Sequence, residues 1–453
     1  MPAHFSQSER LAVLLSLASH TDAERAELDT LAADPALDWA ELDRLCIHNA
    51  IRPLAHKHLA ACGHWARVPA AIAEPWAAFS VTIAERNRLR LETARPLFTE
   101  AAEAGIQIAV LKGVYFAPTY YHDEGYKKMN DIDFLMHVED LDRLYALYEK
   151  HDYFCLGMLL DDDKQTKFSH HAPPFFHRSL NAVLGTHWGL VSPLTKYRPD
   201  YAAMWTRVVP FEFLGARHFG LHPVDNLHHL AIHLPYYKAG LREIADLYNL
   251  LRAEPDFDWA LFGAEVNKAG TAELVYHALS LAHALVPMPA VEAFLKGLEP
   301  ELSGFYYQDT LHRVREPRRI LYGRSTHMSE IDKAFGEFTM SDDLVTKLKA
   351  YWGMWGNGFF APRREVARFH YLDEGTWYLP FLYPSMIARV MRYIAKDLGW
   401  KIFALVCLKH QIDLWKSLGR TVSGKTRPSE LDEAAQRHNL TRDQIQTLRA
   451  LLE

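Results

Sequence analysis

The spacing of apolar residues divides the chain into helical and strand-forming regions. Through residue 104, apolar positions recur every three or four residues, as in VTIAERNRLRLETARPLFTEAAEAG (81–105), and this period predicts helices. An N-cap is expected at Asp38, and helix stops are expected at Gly63 and Gly105. The first quarter of the chain is therefore predicted to be helical throughout.

Strand patterns replace the helical period after Gly105. The run IQIAVLKG (106–113) is short, β-branched and ends in glycine, which is typical of a buried strand. The run DIDFLMHV (131–138) alternates in polarity, so a strand there places Asp131 and Asp133 on one face. Two acids on the same face of a strand that is otherwise apolar need an explanation.

Further elements complete a small sheet. The segment VEDLDRLYALYEKHDYF (138–154) predicts an amphipathic helix. PFFHRS (174–179) and AVLGTHWGL (182–190) predict two strands that form a hairpin across Leu180-Asn181. Residues from about 100 to 195 should therefore form a small mixed sheet with a helix packed on it.

The pattern returns to helix from residue 220 and becomes aromatic and basic beyond about residue 300. The expected fold class is α+β, with a small mixed β-sheet core flanked by largely α-helical N- and C-terminal regions. The expected division is an N-terminal helical region at 1–104, an α/β core at 105–215, a helical domain at 216–300 and an aromatic, basic helical region at 301–453.

Composition narrows the class of protein. A chain of 453 residues is long enough for two or three domains. Its formal net charge of -6 gives no reason to expect DNA as a partner. The 4 cysteines are scattered, which fits a reducing cytoplasm. No run reaches the length of a membrane span, so we expect a cytoplasmic protein without a transmembrane segment.

The aromatic and basic segment at 345–415 leaves several interpretations open. Its cations could line a groove for an acidic or aromatic acceptor, cover a catalytic cleft, or make a peripheral contact with a membrane. They could also extend from an aromatic core into solvent, which is the common arrangement for long cationic side chains.

The acid pair Asp131 and Asp133 suggests a cation site. Two like charges this close cost several kcal/mol, on the order of 3 or more, unless a cation lies between them. Oxygen ligands select a hard ion such as Mg²⁺ or Mn²⁺, which commonly bridges carboxylates to phosphates. Gly113 would let the backbone approach those phosphates. An isolated pair of this kind can also be a solvated strand face.

The order of these motifs resembles a known family. LKG at 111–113, then Lys127 and Met129, then DIDFLM at 131–136, is similar to the glycine and D-x-D signature of the nucleotidyltransferase superfamily. It is most similar to an uncharacterised bacterial subfamily in which LKG, an Arg and DIDLL follow one another. The resemblance extends over about residues 35–270 and includes His187-Trp188, the helical run at 227–251 and DFDW at 256–259.

The resemblance implies a metal-dependent transfer reaction. In this superfamily a two-metal site binds an NTP, and an acceptor hydroxyl or phosphate attacks the α-phosphorus and expels pyrophosphate. The acceptor here would be an unidentified small molecule, protein or RNA end. The resemblance implies that Asp131 and Asp133 hold Mg²⁺ or Mn²⁺, that Gly113 and Val114 contact phosphates, and that Lys112, Lys127 and Lys128 neutralise phosphate charge.

Three positions depart from the family pattern. Gly185 stands where the family carries its third acid, Lys127 replaces an Arg, and Val114 replaces a Ser common in the wider superfamily. Another acid among residues 161–163 could substitute for the third acid, or His187 could act as base or ligand. Alternatively, the chain could be a catalytically impaired nucleotide- or partner-binding relative. A third hypothesis is that the chain is a toxin-like nucleotidyltransferase.

Other polar groups are expected to be structural. His229 and His233 share a helical face, but they lack the cysteine partners or HExxH spacing of a zinc site, so a scaffold role is favoured. Asp246 is expected to form a structural ion pair with a histidine or Arg242. Ser169-His170-His171 lacks the glycine elbow of a nucleophilic serine. The last helices are expected to pack or dock rather than bind DNA.

Overall fold

The structure is a computed structural model. It describes residues 5–155, 169–193, 195–234 and 240–299, short stretches at 302, 310–311, 314–315, 317–322, 381 and 384, and residues 440–452. The described residues outside 194–196 and 325–429 group into one compact unit. The candidate acids Asp161, Asp162 and Asp163 lie outside the described residues, as does almost all of the segment 345–415.

The N-terminal region is helical, as the sequence predicts. Its helices are α1 (Gln7–Leu15), α2 (Asp22–Ala33), α3 (Trp39–His48), α4 (Arg52–Ala61) and α5 (Ala70–Glu103), with a 3₁₀ turn at Trp65–Arg67. The Asp38 side chain accepts the Glu41 N–H at 2.9 Å, which confirms the predicted N-cap. α4 and α5 end next to Gly63 and Gly105, both with positive φ, as expected.

Seven strands form one mixed sheet. They are β1 (Ile108–Val110), β2 (Ile132–Met136), β3 (Tyr153–Cys155), β4 (Phe175–His177), β5 (Val183–His187), β6 (Val209–Phe213) and β7 (Ala216–Gly220), in the order β3-β4-β5-β2-β1-β7-β6. β2 pairs parallel with β5 and antiparallel with β1, and β1 pairs parallel with β7. This sheet with its surrounding helices confirms the α+β class.

Two details of the sheet differ from the sequence prediction. The helix predicted over 138–154 is wrong at its end: α7 covers Leu141–Lys150, and the chain then turns at Asp152, which has φ 59°, into β3. The hairpin of β6 and β7 was not predicted, because its turn begins at Leu214, a residue that rarely adopts the observed φ of 56°. The sheet therefore continues to Gly220, beyond the expected core limit at 215.

Helices surround the sheet. α6 (Lys112–Phe116) continues into a π-helical turn at Ala117–Tyr121, a 3₁₀ turn at Val138–Asp140 precedes α7, and α8 (Tyr201–Arg207) precedes β6. The remaining helices are α9 (Pro223–His233), α10 (Leu241–Ala253), α11 (Trp259–Ala269), α12 (Ala272–Leu285), α13 (Pro289–Leu298), α14 (Arg318–Tyr322) and α15 (Arg442–Leu452). None of the helices in the described part of the chain is long and apolar enough to cross a membrane.

The C-terminal helix α15 packs on the sheet. Its Leu448 is fully buried in a cluster with Phe154, Phe176 and Val183 from β3, β4 and β5. Gln444 adds a hydrogen bond to the Arg178 carbonyl at 3.1 Å. The helix therefore has the packing role that its mixed charges predict.

Candidate functional site

The two acids lie at the start of the central strand β2. Asp133 is on the strand and 6% exposed, whereas Asp131 precedes the strand and is exposed. Residues two apart on an extended chain point to the same side, so the two carboxyl groups share a face. β1 and β5 flank β2 and supply the residues around this pair.

The Asp133 carboxylate is held from two sides. Lys112 Nζ lies 2.7 Å from its Oδ2, and His187 Nε2 donates a hydrogen bond to its Oδ1 at 3.1 Å. Lys112 has φ 51°, a left-handed conformation that is uncommon for a residue with a side chain. The structure therefore joins three residues that the sequence singled out, from the β1–α6 turn, β2 and β5.

Gly185 lies directly opposite Asp133 in the register of β2 and β5. A Cβ atom at position 185 would lie 2.2 Å from Asp133 Oδ1 and 3.5 Å from His187 Nε2. The carboxylate of Asp133 therefore occupies space that a side chain at position 185 would need. A side chain at position 185, where the resemblance implies a third acid, and the observed Asp133–His187 hydrogen bond exclude each other in this arrangement.

The two acids have opposite pKa shifts. Asp131 is exposed as a residue, but protein atoms surround its carboxyl group, and this desolvation together with the charge of Asp133 raises the pKa of Asp131 to about 6. For Asp133 burial acts in the same direction, but the Lys112 ammonium and the His187 hydrogen bond outweigh it and hold the pKa well below its usual range. At neutral pH both groups are ionised, and their mutual repulsion makes this end of β2 attractive to a cation.

Several histidines surround the pair, and the sequence did not predict this. The His187 ring lies 5.8 Å from that of His170 and 5.3 Å from that of His171. The charges of Lys112 and Asp133 also contribute to the pKa shifts of His229 and His233, two histidines of α9. Burial is the main cause that lowers the pKa of His187, His229 and His233, so these rings are neutral at pH 7.

The favoured scaffold role of His229 and His233 fits their place on α9, where His229 is buried, but the sequence did not indicate that they lie beside the acid pair. The spacing of His229 and His233 placed them on one helical face, but only the fold brings that face to β2. In the described part of the chain, no cluster of three or more His, Cys, Asp or Glu side chains has the arrangement of metal ligands. The structure thus gives no support to a histidine zinc site there.

Lys127 lies in a buried ion pair with Asp246 of α10. Tyr121 donates a hydrogen bond to the same carboxylate at 2.8 Å, and Asn249 donates to the Tyr121 hydroxyl at 3.0 Å. Asp246 therefore has the structural ion pair that the sequence predicts, although its partner is Lys127 and not a histidine or Arg242. The Lys127 Cε lies 3.6 Å from where a Cβ on Gly113 would be, so the lysine borders the glycine turn.

The glycine turn after β1 is fixed by packing. Val114 is buried, and the Tyr115 ring lies over Gly220 of β7, where a Cβ would be only 2.0 Å from Tyr115 Cε2. Gly113 itself is half-buried and borders Lys127 and Met129. α6 therefore starts directly after β1, at the point where Lys112 contacts Asp133.

Helix α5 is attached to the segment that carries Lys127 and Lys128. Asn87 is fully buried; its amide donates to the carbonyls of Glu124 and Lys127 at 2.7 and 2.9 Å, and its oxygen accepts the Met129 N–H at 3.1 Å. One turn further along α5 lies Arg90, whose charge reaches Asp131. Sequence reasoning missed both residues, because contacts between segments 40 residues apart leave no local pattern.

The two carboxylates at the start of β2 offer oxygen ligands to a divalent cation. Asp131 and Asp133 supply oxygen atoms, the donors that hard ions prefer. The Lys112 ammonium already lies against Asp133 Oδ2, so a cation at that carboxylate is compatible with the surrounding protein. Such an ion would be held by Asp131 and Asp133.

Comparison with known proteins agrees with the geometry. A family model described as "Uncharacterised nucleotidyltransferase" matches residues 35–287, more than half of the 453-residue chain. This match assigns the chain to the nucleotidyltransferase class. The chain belongs to this uncharacterised nucleotidyltransferase family. No curated protein and no solved structure matches the chain.

Proposed function

We propose that the protein is a metal-dependent nucleotidyltransferase that moves an NMP from an NTP to an acceptor hydroxyl or phosphate. The observation that carries the proposal is the acid pair at the start of β2, with Lys112 and His187 on Asp133, in a chain of this family. Mg²⁺ or Mn²⁺ is the proposed cofactor, since oxygen ligands favour hard ions.

Each residue has a distinct part in the proposed reaction. Asp131 and Asp133 hold the cation, which would neutralise charge on the phosphates and on the departing pyrophosphate. The turn at Gly113 and Val114 brings backbone N–H groups to the phosphates. Lys112, which contacts Asp133 at 2.7 Å, can move to a phosphate oxygen once a cation takes its place at the carboxylate.

His187 is the candidate proton acceptor. Its Nε2–H is directed to Asp133, so the neutral ring carries its lone pair on Nδ1. As the acceptor oxygen bonds to the α-phosphorus, its proton would pass to a base, and the bond to pyrophosphate would break. A neutral imidazole is suited to take that proton, because burial lowers the pKa of His187 and favours the neutral ring before the reaction, and the nearby carboxylates stabilise its charged form afterwards.

The glycine at position 185 favours one alternative, a relative that binds nucleotide without transferring it. The described residues place no third carboxylate next to Asp131 and Asp133, and the Asp133 carboxylate itself fills the space next to Gly185. In that case the fold would keep its cation and nucleotide, while the acceptor would not be deprotonated.

Calorimetry and turnover together test the proposal. We expect one of ATP, GTP, CTP or UTP to bind with Mg²⁺ and to bind weakly without it, and we expect the double change Asp131→Ala with Asp133→Ala to abolish that binding. Pyrophosphate release distinguishes transfer from binding alone. Binding that survives the double change would overturn both the enzyme and the binding-only alternative.

A further inference from the structure

Arg90 is buried beside the candidate site, and the described residues give it neither a hydrogen bond nor an ion pair. The residue is 7% exposed, its Nε has no hydrogen-bond partner, and it forms no ion pair with any described residue. A buried guanidinium is costly unless an anion or several acceptors face it. The Arg90 guanidinium is close enough to Asp131 for the two charges to attract each other and shift both pKa values.

Two further cations lie close to Arg90. Arg86 precedes it by one turn on α5, and Lys128 lies on the segment that Asn87 attaches to the helix. Neither forms an ion pair with the described residues, and both are exposed. Their mutual repulsion contributes, after burial, to the lowered pKa of Lys128 and of Arg90. Arg86, Arg90 and Lys128 therefore form a cluster of three cations, and Arg90 is the member whose charge acts on Asp131.

The neighbouring lysine that the family pattern assigns to phosphate is already neutralised. Lys127 is bound to Asp246 in a buried pair that Tyr121 completes. A phosphate group beside the acid pair would therefore be attracted more strongly by Arg90 than by Lys127, because the charge of Lys127 is already paired with Asp246. A guanidinium also offers the paired N–H groups that match two phosphate oxygens.

We propose that Arg90, with Arg86 and Lys128, forms a binding site for a phosphate group beside Asp131. The role of this site rests on the proposed function. The phosphate group belongs either to the triphosphate of the nucleotide or to a phosphorylated acceptor. It is a different site from the backbone turn at Gly113, since it is built on α5.

The test uses the full chain with inorganic pyrophosphate as the probe. Arg90→Gln should weaken pyrophosphate binding about tenfold or more, because a charge-assisted hydrogen bond is lost. The same change should raise the unfolding temperature of the ligand-free protein, because the desolvation of the Arg90 guanidinium outweighs its attraction to Asp131. Arg90→Lys should retain part of the affinity. Arg88→Gln is the control, since Arg88 lies on the same helix but pairs with Glu92 at 2.6 Å.

The result that would overturn the site is pyrophosphate binding by Arg90→Gln within twofold of the Arg88→Gln control. If Arg90→Gln does not fold, the double change Arg86→Gln with Lys128→Gln replaces it, because both side chains are exposed. That double variant should also lose about tenfold in pyrophosphate affinity, and unchanged affinity would overturn the site.

Competition identifies the source of the phosphate. If an NTP displaces pyrophosphate, the site holds the triphosphate; if both bind together, it holds the acceptor's phosphate. Loss of affinity in Arg90→Gln without any nucleotide transfer by the native chain would leave the site standing and refute the proposed function. Nucleotide transfer by the native chain, together with unchanged pyrophosphate affinity in Arg90→Gln, would support the proposed function and refute the phosphate site.

Discussion

At the scale of single residues, the position of the Asp133 carboxylate depends on the missing side chain of Gly185. The carboxylate lies where a Cβ at position 185 would be, and from there it contacts both Lys112 and His187. Any larger residue at 185 must move Asp133 away from His187. The identity of residue 185 therefore determines which groups face the cation.

The substitution Gly185→Ala tests this dependence. We expect it to break the hydrogen bond between His187 and Asp133 and to destabilise the fold by about 1–3 kcal/mol, as overpacking of a tight site does. Nucleotide turnover should fall at least about tenfold, since the loss of one well-placed interaction in the transition state costs about 1.4 kcal/mol or more. Urea unfolding and pyrophosphate release measure the two effects.

Gly297→Ala is the matched control for this change. A Cβ at position 297 in α13 meets no atom within 4 Å, so the control should be neutral or slightly stabilising. Equal stability and turnover for the two variants would contradict the account of Gly185.

The two acids should give opposite dependences of stability on pH. The raised pKa of Asp131, about 6 against an ordinary 3.8, means that the folded chain keeps a proton the unfolded chain has lost. The contribution of Asp131 to the free energy of unfolding therefore becomes unfavourable as pH rises from about 4 through 6. Asp133 has a lowered pKa, so its stabilisation is present above about 4 and is lost as pH falls further.

Urea unfolding at several pH values measures this difference. Relative to the native chain, Asp131→Asn should gain stability between pH about 4 and 6, and the deficit of Asp133→Asn should shrink below pH about 4. Parallel curves for the native chain and both variants would show that the acids do not interact as described.

The residue scale also shows what the sequence could supply. The alternation of DIDFLM was enough to place Asp131 and Asp133 on one face and to select them as a pair. The partners of Asp133 came from elsewhere: Lys112 and His187 were suspected from motifs, but their contacts depend on strand pairing. No sequence pattern marked Arg90 as a site residue, because a lone arginine on a helix is ordinarily exposed to solvent.

At the scale of elements, one side chain holds helix α5 to the segment that carries the lysines. Asn87 satisfies both of its amide hydrogens and its oxygen on residues 124–129. The segment has no regular secondary structure of its own, so these bonds replace a sheet or helix ladder. They fix Lys127 and Lys128 relative to Arg90.

Asn87→Ala should release this segment. Buried acceptors left without a donor cost about 1–3 kcal/mol each, so we expect a loss of stability of at least that size. Amide exchange should rise at residues 124–129 and not in β2, which hydrogen/deuterium exchange resolves. Thr82→Ala is the control, because the Thr82 hydroxyl bonds only to the Ala78 carbonyl on the exposed side of the same helix. Equal exchange in both variants would argue against the attachment.

The buried pair of Lys127 and Asp246 joins this segment to α10. Asp246→Asn leaves the Lys127 ammonium without its counter-ion, and we expect a loss of about 3–5 kcal/mol. The double change Lys127→Met with Asp246→Leu should recover most of that loss, because it removes both charges. Thermal unfolding of the native chain and the two variants measures these stabilities. A double variant no more stable than Asp246→Asn would show that the charge pair is not the cause.

The elements themselves were predicted unevenly. Strands with alternating or continuous apolar patterns, such as β2 and β5, were found within about three residues. The hairpin of β6 and β7 was missed because Leu214 stands where Asn or Asp usually marks such a turn. β3 was absorbed into the preceding helix, since Tyr153 and Phe154 continue its apolar stripe.

At the scale of the whole molecule, distant parts of the sequence converge on the site. α5, the β1–α6 turn, β2, β5, α9 and α10 each bring a charged or imidazole group to the acid pair or its surroundings. Local patterns predicted the class of most of these elements but not their convergence, which depends on sheet order. The strand order β5-β2-β1-β7 brings these groups together, and no local sequence pattern predicted it.

The central claim is that Asp131 and Asp133 serve nucleotidyl transfer. The most direct measurement incubates the full chain with Mg²⁺, a cell extract as the source of acceptors, and each NTP labelled at the α-phosphate or the γ-phosphate. We expect α-label and no γ-label to enter an acceptor, with transfer lost in Asp133→Asn and retained in Gly297→Ala. Equal labelling by Asp133→Asn and the native chain, or incorporation of the γ-label, would contradict the account.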